Sequence, residues 1–291
     1  KAASMILLLI IADDFTGALD TGVQFAARGA RTEVVVDPQI DFSACGADVL
    51  VVDTETRHLP AADAYKAVFD LVERARRAGV RFIYKKTDSA LRGNIGAELS
   101  ALLEASGLRQ LPFLPAYPKT GRITKNGVHY INGVPVTESP FGKDPFEPVR
   151  HSVIAELIGE QCPAPAVSVP VLSDASPLPD QEGILIFDAE TDEELSRAGR
   201  RLYQEGRLSI MAGCAGFGAV LPALLGLASD SPKEAPQLSE RLLVVCGSVN
   251  PISVAQMAAA EAAGVARWQM TPEQKLQPDY WRTEKGQAEF A

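Results

Sequence analysis

The feature that most constrains the fold of this 291-residue chain is a regular alternation of apolar, β-prone runs with helix-like segments. The first run, Met5–Ala12, precedes a helix-like segment from about Thr16 to Arg28. Strands that alternate with helices predict an α/β fold, with a mostly parallel, Rossmann-like sheet flanked by helices. Further strands are predicted at Arg31–Asp37, Val49–Asp53, Arg81–Lys86, Gln110–Ala116, Val167–Val171, Gly183–Asp188 and Leu208–Ala212, and further helices at Ala61–Ala78, Ile95–Ala105, Val149–Ile158 and Asp192–Gln204.

The pattern changes between Tyr117 and Pro148, where two Asn-Gly dipeptides, Asn126-Gly127 and Asn132-Gly133, flank the β-prone Val128–Ile131. Asn-Gly between β-prone segments is a strong signal for a tight hairpin turn. We therefore predict one or two β-hairpins inserted above the sheet.

A polar, proline-containing stretch at 229–236 is the best candidate for a linker. A predicted strand, Arg241–Cys246, and a predicted helix, Ile252–Ala263, follow it. The predicted organisation is an N-terminal domain at 1–228, a linker at 229–240 and the start of a second α/β domain at 241–291. A helix–strand unit of that size cannot bury much core by itself.

Composition excludes several classes of function. The net charge of −9 argues against a nucleic-acid partner, which requires clustered Lys and Arg. The run Met5–Ala12 is too short to span a bilayer and ends at two Asp residues, so we expect no membrane segment. The four cysteines are widely spaced without a Cys-x-x-Cys motif, which favours free thiols, no zinc site and a cytoplasmic protein.

Asp13 and Asp14 stand where the first strand ends and the first helix begins. Two adjacent carboxylates repel each other, and a cation, a ligand hydroxyl or a helix N-terminus offsets that repulsion. The alternative is that one Asp caps the helix while the other is solvated.

The second polar strand end, 84–94, carries acidic, basic and amide side chains close together. Arg92 could bind a carboxylate bidentately, and Asp88 and Asn94 could bind hydroxyls. Gly93 would let the backbone approach a ligand. The alternative is a polar turn with solvated charges.

A third strand end, 115–122, is stiffened by two prolines, and Lys119 and Arg122 could reach an anion from it. Neither a P-loop nor a Gly-x-Gly-x-x-Gly fingerprint occurs. The glycines of 213–218 could receive a phosphate at a helix N-terminus or could only allow close packing, and Gly247-Ser248 is a similar, weak candidate.

Several motifs occur in the order found in one family: Ile-Ala-Asp-Asp-Phe-Thr-Gly-Ala-Leu-Asp at 11–20, Lys-Thr-Asp-Ser-Ala-Leu-Arg-Gly-Asn at 86–94 and Pro-Ala-Tyr-Pro-Lys-Thr-Gly-Arg at 115–122. Gly133–Glu138 and Asp144-Pro145 match as well. Over most of 5–265 the chain resembles the four-carbon acid sugar kinases.

The resemblance implies a two-domain enzyme. Its N-terminal domain would bind threonate, erythronate or an oxo-tetronate, its C-terminal domain would bind ATP with Mg²⁺, and phosphate would go to the terminal hydroxyl. Gly247 and Ser248 resemble the start of the nucleotide domain. The family's Gly-Gly-x-Thr-Ala nucleotide motif does not occur in these residues.

Residue chemistry agrees with this resemblance, because phosphoryl transfer depends on positioning and charge neutralisation. We expect Arg92, helped by Lys85, Lys86 or Arg122, to hold the carboxylate of the sugar acid. Asp13, Asp14 and Asp88 would bind hydroxyls, with Asp14 or Asp88 as the base. The predicted binding set also includes Thr16, Ser89, Gly93, Asn94 and Tyr117, while Mg²⁺ would be held mainly by phosphates and water and no protein metal site is expected.

The expected partners are the sugar acid and ATP, with a homodimer as a further expectation. Two other functions stay open. One is a metal-dependent hydrolase of phosphorylated small acids, although the adjacent carboxylates lack the alternating spacing of the Asp-x-Asp phosphatase motif. The other is a sugar-acid binding protein without catalysis, consistent with the missing nucleotide motif.

Overall fold

The structure is a computed structural model that describes residues 6–145, 147–173, 176–228, 241–248 and 251–290. Backbone contacts divide the chain into two units, 1–234 and 235–291. The predicted linker, 229–240, lies outside the described residues.

The first unit is built on an eight-stranded sheet in which every paired strand is parallel to its neighbour. Its strands are β1 (Leu8–Ala12), β2 (Thr32–Val35), β3 (Val49–Asp53), β4 (Phe82–Lys86), β5 (Gln110–Leu114), β9 (Ala166–Val169), β10 (Gly183–Phe187) and β11 (Ile210–Gly213). Their spatial order is β2-β3-β1-β4-β11-β5-β10-β9. The predicted α/β fold is therefore confirmed.

Helices cover both faces of this sheet, because successive side chains of a buried strand such as β1 are apolar and point to opposite faces. The helices are α1 (Phe15–Ala26), α2 (Ala61–Arg77), α3 (Ile95–Ser106), α4 (Ile154–Gly159), α5 (Asp192–Gln204), α6 (Ala215–Gly218) and α7 (Leu221–Leu224). On β1, Leu9 and Ile11 pack toward α2, α3 and α4, whereas Leu8 and Ile10 pack toward α1, α5, α6 and α7.

Helix α4 begins at Ile154, five residues later than Val149, the predicted start. Tertiary pairing explains the difference. The Ser152 carbonyl accepts a hydrogen bond from the His129 amide at 2.8 Å, and Val153 forms an isolated β-bridge with Val128. These backbone groups are used by the neighbouring hairpin and cannot continue the helix.

The predicted hairpins form a separate antiparallel sheet of β6 (Arg122–Lys125), β7 (Val128–Ile131) and β8 (Val134–Pro135). The turn between β6 and β7 places Asn126 and Gly127 at positive φ, 53° and 73°. Such a turn favours Asn-Gly, because few other residues adopt this conformation cheaply. The Asp188 carboxylate accepts hydrogen bonds from the backbone amides of both residues, at 2.7 and 3.0 Å, and so holds the turn at the end of β10.

In the second unit, the predicted strand Arg241–Cys246 is wrong, because 241–248 has no regular secondary structure. A strand requires a neighbour to complete its hydrogen bonds, and no described residue of this unit belongs to a strand. Leu242 to Val245 are accordingly 73–86% exposed. The predicted helix is confirmed as α8 (Pro251–Ala262), and α9 (Pro272–Leu276) and α10 (Glu284–Phe290) follow it.

Within the described ranges, no helix has both the length and the apolar character that a bilayer crossing demands.

Candidate functional site

Strands β1, β3 and β4 end together at one edge of the sheet. The register pairs Ala12 with both Asp53 and Lys86, so the residues that follow these strands are neighbours. Helix α1 packs on one face of the sheet, and α2 and α3 pack on the other. Open α/β sheets bind ligands in the crevice where connections leave to opposite faces, so this edge is the candidate site.

The acidic pair lies in this crevice. Asp14 is the N-cap of α1, and its Oδ1 accepts a hydrogen bond from the Gly17 amide at 2.9 Å. The alternative interpretation, one capping Asp and one solvated Asp, is therefore correct only for the cap. The adjacent Asp13 is 1% exposed and is not solvated. Two neighbouring carboxylates, one buried and one partly exposed, require a cation close by.

Arg57 supplies that cation, and the sequence analysis did not select it. Its Nε donates to Asp13 Oδ2 and its Nη1 donates to Asp14 Oδ2, both at 2.7 Å. Its Nη2 lies 3.9 Å from Asp88 Oδ1, so one buried guanidinium faces three carboxylates. Burial by itself would lower the pKa of Arg57, but the hydrogen bond and charge of Asp13, with the charges of Asp88 and Asp14, raise it above its ordinary value.

Asp88 is held by Arg92 from its own loop. Nε of Arg92 donates to Asp88 Oδ2 at 2.8 Å and Nη2 donates to Oδ1 at 2.9 Å. Burial would raise the pKa of Asp88, but the Arg92 contacts and the Arg57 charge hold it well below its usual range. The two donors of Arg92 that were predicted to bind a ligand carboxylate therefore bind Asp88 instead. Nη1 of Arg92 is not used in this contact, and the side chain is partly exposed.

Lys85 and Lys86 point to opposite faces of the sheet, as successive strand residues do. Lys85 is completely buried, 3.1 Å from Glu98 Oε2 of α3, and Glu98 Oε1 accepts from Thr56 Oγ1 at 2.5 Å. Lys85 was predicted to help hold the substrate, but the structure places its ammonium group in a buried ion pair with Glu98. Burial raises the pKa of Glu98, and Lys85 opposes that rise.

Lys86 points toward α1, where its Nζ donates to the Thr87 carbonyl at 2.7 Å. A Cβ built on Gly17 would stand 2.5 Å from Asp14 Oδ1 and 2.9 Å from Lys86 Nζ. Gly17 therefore leaves the space that the Asp14 carboxylate and the Lys86 ammonium group share. Of the two predicted lysines, Lys86 is the one that the structure brings to the acidic pair.

Asn94 and Gly93 hold the Arg57 loop in place. The Asn94 side-chain amide donates to the carbonyls of Thr56 and Leu59 at 2.9 and 2.8 Å. Gly93 has φ +88°, and a Cβ there would lie 3.0 Å from Arg57 Cγ. We predicted that Gly93 would let the backbone approach a ligand, but in the structure it lets the backbone approach Arg57. The Asn94 amide, predicted to bind a hydroxyl, donates to backbone carbonyls of the Arg57 loop.

Other predicted residues lie around this centre. Thr16 is exposed in the first turn of α1, and the Ser89 carbonyl contacts His129 Nε2 at 2.9 Å. Burial lowers the pKa of His129 to about 4. Arg122 lies 5.8 Å from the centre of the Phe141 ring, over which Arg92 also stacks at 5.1 Å. Tyr117 pairs with Arg122 through backbone hydrogen bonds of 2.7 and 3.2 Å, and burial raises the pKa of Tyr117.

The glycines at 213–218 serve packing. A Cβ on Gly213 would strike the Leu114 carbonyl, and one on Gly216 would lie 2.5 Å from the Ala116 carbonyl. Helix α6 has only four residues and gives no basis for a phosphate site. Gly247 and Ser248 belong to the second unit, where both are exposed.

Asp53 is the second residue that sequence reasoning missed. It ends β3 with 2% exposure, its Oδ1 accepts from the Glu55 amide at 3.1 Å, and its Oδ2 has no hydrogen-bond partner among the described residues. Burial, together with the charges of Glu55 and Asp14, raises the pKa of Asp53 to about 6. The signal was present, because β3 also ends in a carboxylate and an arginine follows it four residues later.

The described part of the chain contains no group of three or more His, Cys, Asp or Glu side chains arranged to hold a metal ion. Asp13 Oδ1 is buried and accepts no hydrogen bond from any described residue. A carboxylate oxygen of this kind is suited to a ligand hydroxyl or to one position around a hard cation.

A cleft of about 260 Å³ opens beside the acidic centre. Arg57 lines the cleft as well as binding the acids, so the two features adjoin. The remaining wall includes Arg92, Gly93 and Asn94, residues 147–151, and Leu157 of α4 with the two residues 160–161 that follow the helix.

Comparisons with known proteins identify the family of the chain. The family model described as a sugar-binding N-terminal domain matches residues 8–221. A D-threonate kinase of Salmonella typhimurium is 35% identical over 272 residues, which cover 89% of this chain and 62% of the relative. A D-erythronate kinase of Heliobacterium modesticaldum is 29% identical over 270 residues, covering 88% of this chain and 60% of the relative.

A solved structure from Bordetella bronchiseptica, titled a domain of unknown function with bound citrate and a domain-swapped dimer, has 32% sequence identity to this chain. The two superpose with a TM-score of 0.69, over 98% of this chain and 72% of that one. The chain thus spans roughly three fifths of the two kinases and somewhat more of the solved protein. The match over 8–221 shows that the chain belongs to the family defined by the sugar-binding N-terminal domain.

Proposed function

We propose that this chain supplies the sugar-acid site of an ATP-dependent kinase that phosphorylates the terminal hydroxyl of a four-carbon sugar acid. Threonate, erythronate and an oxo-tetronate are the candidate substrates. The kinase names of relatives at 29–35% identity support the reaction class, although this chain spans only 60–62% of their length.

The observation that carries the proposal is the cluster of Asp13, Asp14 and Asp88 on the single guanidinium of Arg57. Ionised carboxylates accept hydrogen bonds from hydroxyls, and a fixed cluster can recognise a polyol chain. The guanidinium of Arg57 holds the three carboxylates in place without a ligand, so the site is preorganised for binding.

Asp14 is the better candidate for the base that accepts the proton of the attacking hydroxyl. Its side chain is 23% exposed, whereas Asp88 is more deeply buried and both of its oxygens are engaged by Arg92. A carboxylate that two strong donors hold well below its usual pKa is a weak base. Asp88 then serves to bind a hydroxyl and to orient Arg92.

ATP with Mg²⁺ would supply the transferred phosphoryl group and neutralise its charge when bound. We assign Gly247 and Ser248 to the start of the nucleotide-binding part, and we retain 1–228, 229–240 and 241–291 as the proposed sugar-acid domain, linker and partial nucleotide domain. A homodimer is proposed because the Bordetella relative was crystallised as a domain-swapped dimer. A cytoplasmic location is proposed because all four cysteines are free thiols.

The test is an ATP-consumption assay on the longest available gene product containing this chain, with threonate, erythronate and oxo-tetronate isomers as substrates. We expect one acid to stimulate ATP consumption and to gain phosphate at its terminal hydroxyl, as checked by ³¹P NMR. Stoichiometric sugar-acid binding without ATP consumption would instead favour the non-catalytic binding protein. Phosphate release from a phosphorylated acid without nucleotide would favour a hydrolase.

A further inference from the structure

We infer that the cleft beside Arg57 is the subsite for the carboxylate of the sugar acid, and that Arg150 is the residue that recognises it. The inference rests on the proposed function for the identity of the ligand. It does not depend on phosphoryl transfer, because it concerns binding alone.

The cleft is lined by three guanidinium groups, those of Arg57, Arg92 and Arg150. Two carboxylates, Glu147 and Glu160, also line it, but each is paired with a histidine: Glu147 Oε2 is 2.7 Å from His58 Nδ1, and Glu160 Oε1 is 2.8 Å from His151 Nε2. Arg57 and Arg92 are themselves paired with Asp13, Asp14 and Asp88, so Arg150 is the arginine of this lining that forms no ion pair with a described carboxylate. A small anion is the ligand that an unpaired guanidinium favours.

Two of the arginines are held rigidly by the acidic cluster. Arg57 is bound by Asp13 and Asp14, and Arg92 by Asp88, so neither guanidinium has to be ordered when a ligand arrives. Two sets of N–H donors in the cleft lining are still available to a ligand: Arg92 Nη1 and the whole guanidinium of Arg150. Neither has a hydrogen-bond or ion-pair partner among the described residues. Arg150 is exposed and is free to make a bidentate contact.

The other cations that the sequence suggested for the carboxylate are positioned differently. Lys85 is buried against Glu98, and Lys86 is directed to the Thr87 carbonyl beside α1. Neither lysine lines the cleft, and Arg122 does not line it either. The carboxylate role therefore passes from the lysines to Arg150 together with the free nitrogen of Arg92.

Arg57 belongs to both the cleft lining and the acidic cluster, so the cleft adjoins the cluster at this residue. The volume of about 260 Å³ is sufficient for a four-carbon acid with accompanying water.

Isothermal titration calorimetry on the 291-residue chain tests this directly, with sodium D-threonate, sodium D-erythronate and the neutral tetritols threitol and erythritol as probes. We expect at least one acid to bind, and the matching tetritol to bind at least tenfold more weakly. Arg150→Gln should weaken binding of the acid about tenfold or more, and should leave binding of the tetritol unchanged. Arg150→Lys should recover part of the affinity, because it retains the charge but loses the fork.

Arg81→Gln is the matched control, because Arg81 precedes β4 at the opposite end of that strand and stacks on Phe82. It removes the same charge without touching the cleft and should bind the acid as the unaltered chain does. Equal affinity for acid and tetritol, an unchanged affinity in Arg150→Gln, or no acid binding at millimolar concentration would each overturn the inference. A carboxylate-dependent affinity in a protein that consumes no ATP would support the cleft while refuting the kinase.

Discussion

Arg57 and Asp13, 44 residues apart in the chain, are joined by a buried hydrogen-bonded ion pair of 2.7 Å. The pair links the loop after β3 to the end of β1, and Arg57 extends the contact to Asp14. Without the arginine, two adjacent carboxylates would have to be kept at this edge with little solvent. The ion pair therefore makes the acidic site compatible with the fold.

Arg57→Gln should consequently reduce both stability and sugar-acid affinity. Loss of one partner of a buried ion pair costs about 3–5 kcal/mol, because it leaves the other charge uncompensated. Urea unfolding of the 291-residue chain measures the change in the free energy of unfolding. Arg109→Gln is the control, since Arg109 and Glu182 form an exposed pair with 71% and 62% exposed side chains, and it should have a far smaller effect. Similar losses in the two variants would contradict the central role of Arg57.

Asp14→Asn should lower kcat by about 100-fold or more while changing KM much less, because it removes the proposed base. Asparagine is as good an N-cap as aspartate, so α1 should remain intact. Asp88→Asn provides the comparison, and we expect it to raise KM more than it lowers kcat, since Asp88 orients Arg92. Steady-state kinetics of the longest active gene product will distinguish the two roles. The reverse pattern would transfer the role of base to Asp88.

Gly17→Ala should impair ligand binding without unfolding the helix. The new Cβ would occupy the space between Asp14 Oδ1 and Lys86 Nζ, at 2.5 and 2.9 Å, and displace both groups. Alanine is otherwise the better helix former by about 1 kcal/mol. We expect sugar-acid affinity to fall at least tenfold by calorimetry while the circular dichroism spectrum is unchanged. Gly46→Ala, where a Cβ meets nothing within 4 Å, is the control and should bind normally.

Asp53→Asn should stabilise the chain at high pH only. Burial raises the pKa of Asp53 from 3.8 to about 6, so its protonated form is favoured in the folded state. The stabilising contribution of Asp53 is thus present below about pH 3.8 and is lost as the pH rises through about 6. The Asn variant should exceed the unaltered chain by about 1 kcal/mol at pH 8 and show no gain near pH 4 in urea unfolding. An equal gain at both pH values would mean that ionisation of Asp53 is not the cause.

Much of the fold could be predicted because its signals are local. The run that becomes β1 and the Asn-Gly turn of the inserted hairpin each specify a conformation through neighbouring residues. The prediction of a strand at 241–246 was wrong for the opposite reason, because a β-prone run becomes a strand only when another strand pairs with it. The apolar residues of this run can be recognised in the sequence, but a strand that would pair with it cannot.

The site could be predicted as a set of strand ends but not as a set of contacts. Asp13, Asp14, Lys86 and Asp88 were found because polar residues that end parallel strands gather at one edge. The sequence does not indicate that Arg92 folds back onto Asp88 or that Lys85 is buried against Glu98. Both outcomes depend on which side-chain rotamers the packed neighbours allow.

By itself the sequence determined the α/β class, the parallel sheet, the inserted hairpins and the edge at which the acids collect, since periodicity and turn chemistry act over a few residues. Only the tertiary structure decided that Arg57 neutralises those acids, that one lysine faces them while its neighbour is buried, and that Arg150 lines the adjoining cleft. These relationships join residues tens of positions apart. Their charges and contacts exist only once the strands are side by side.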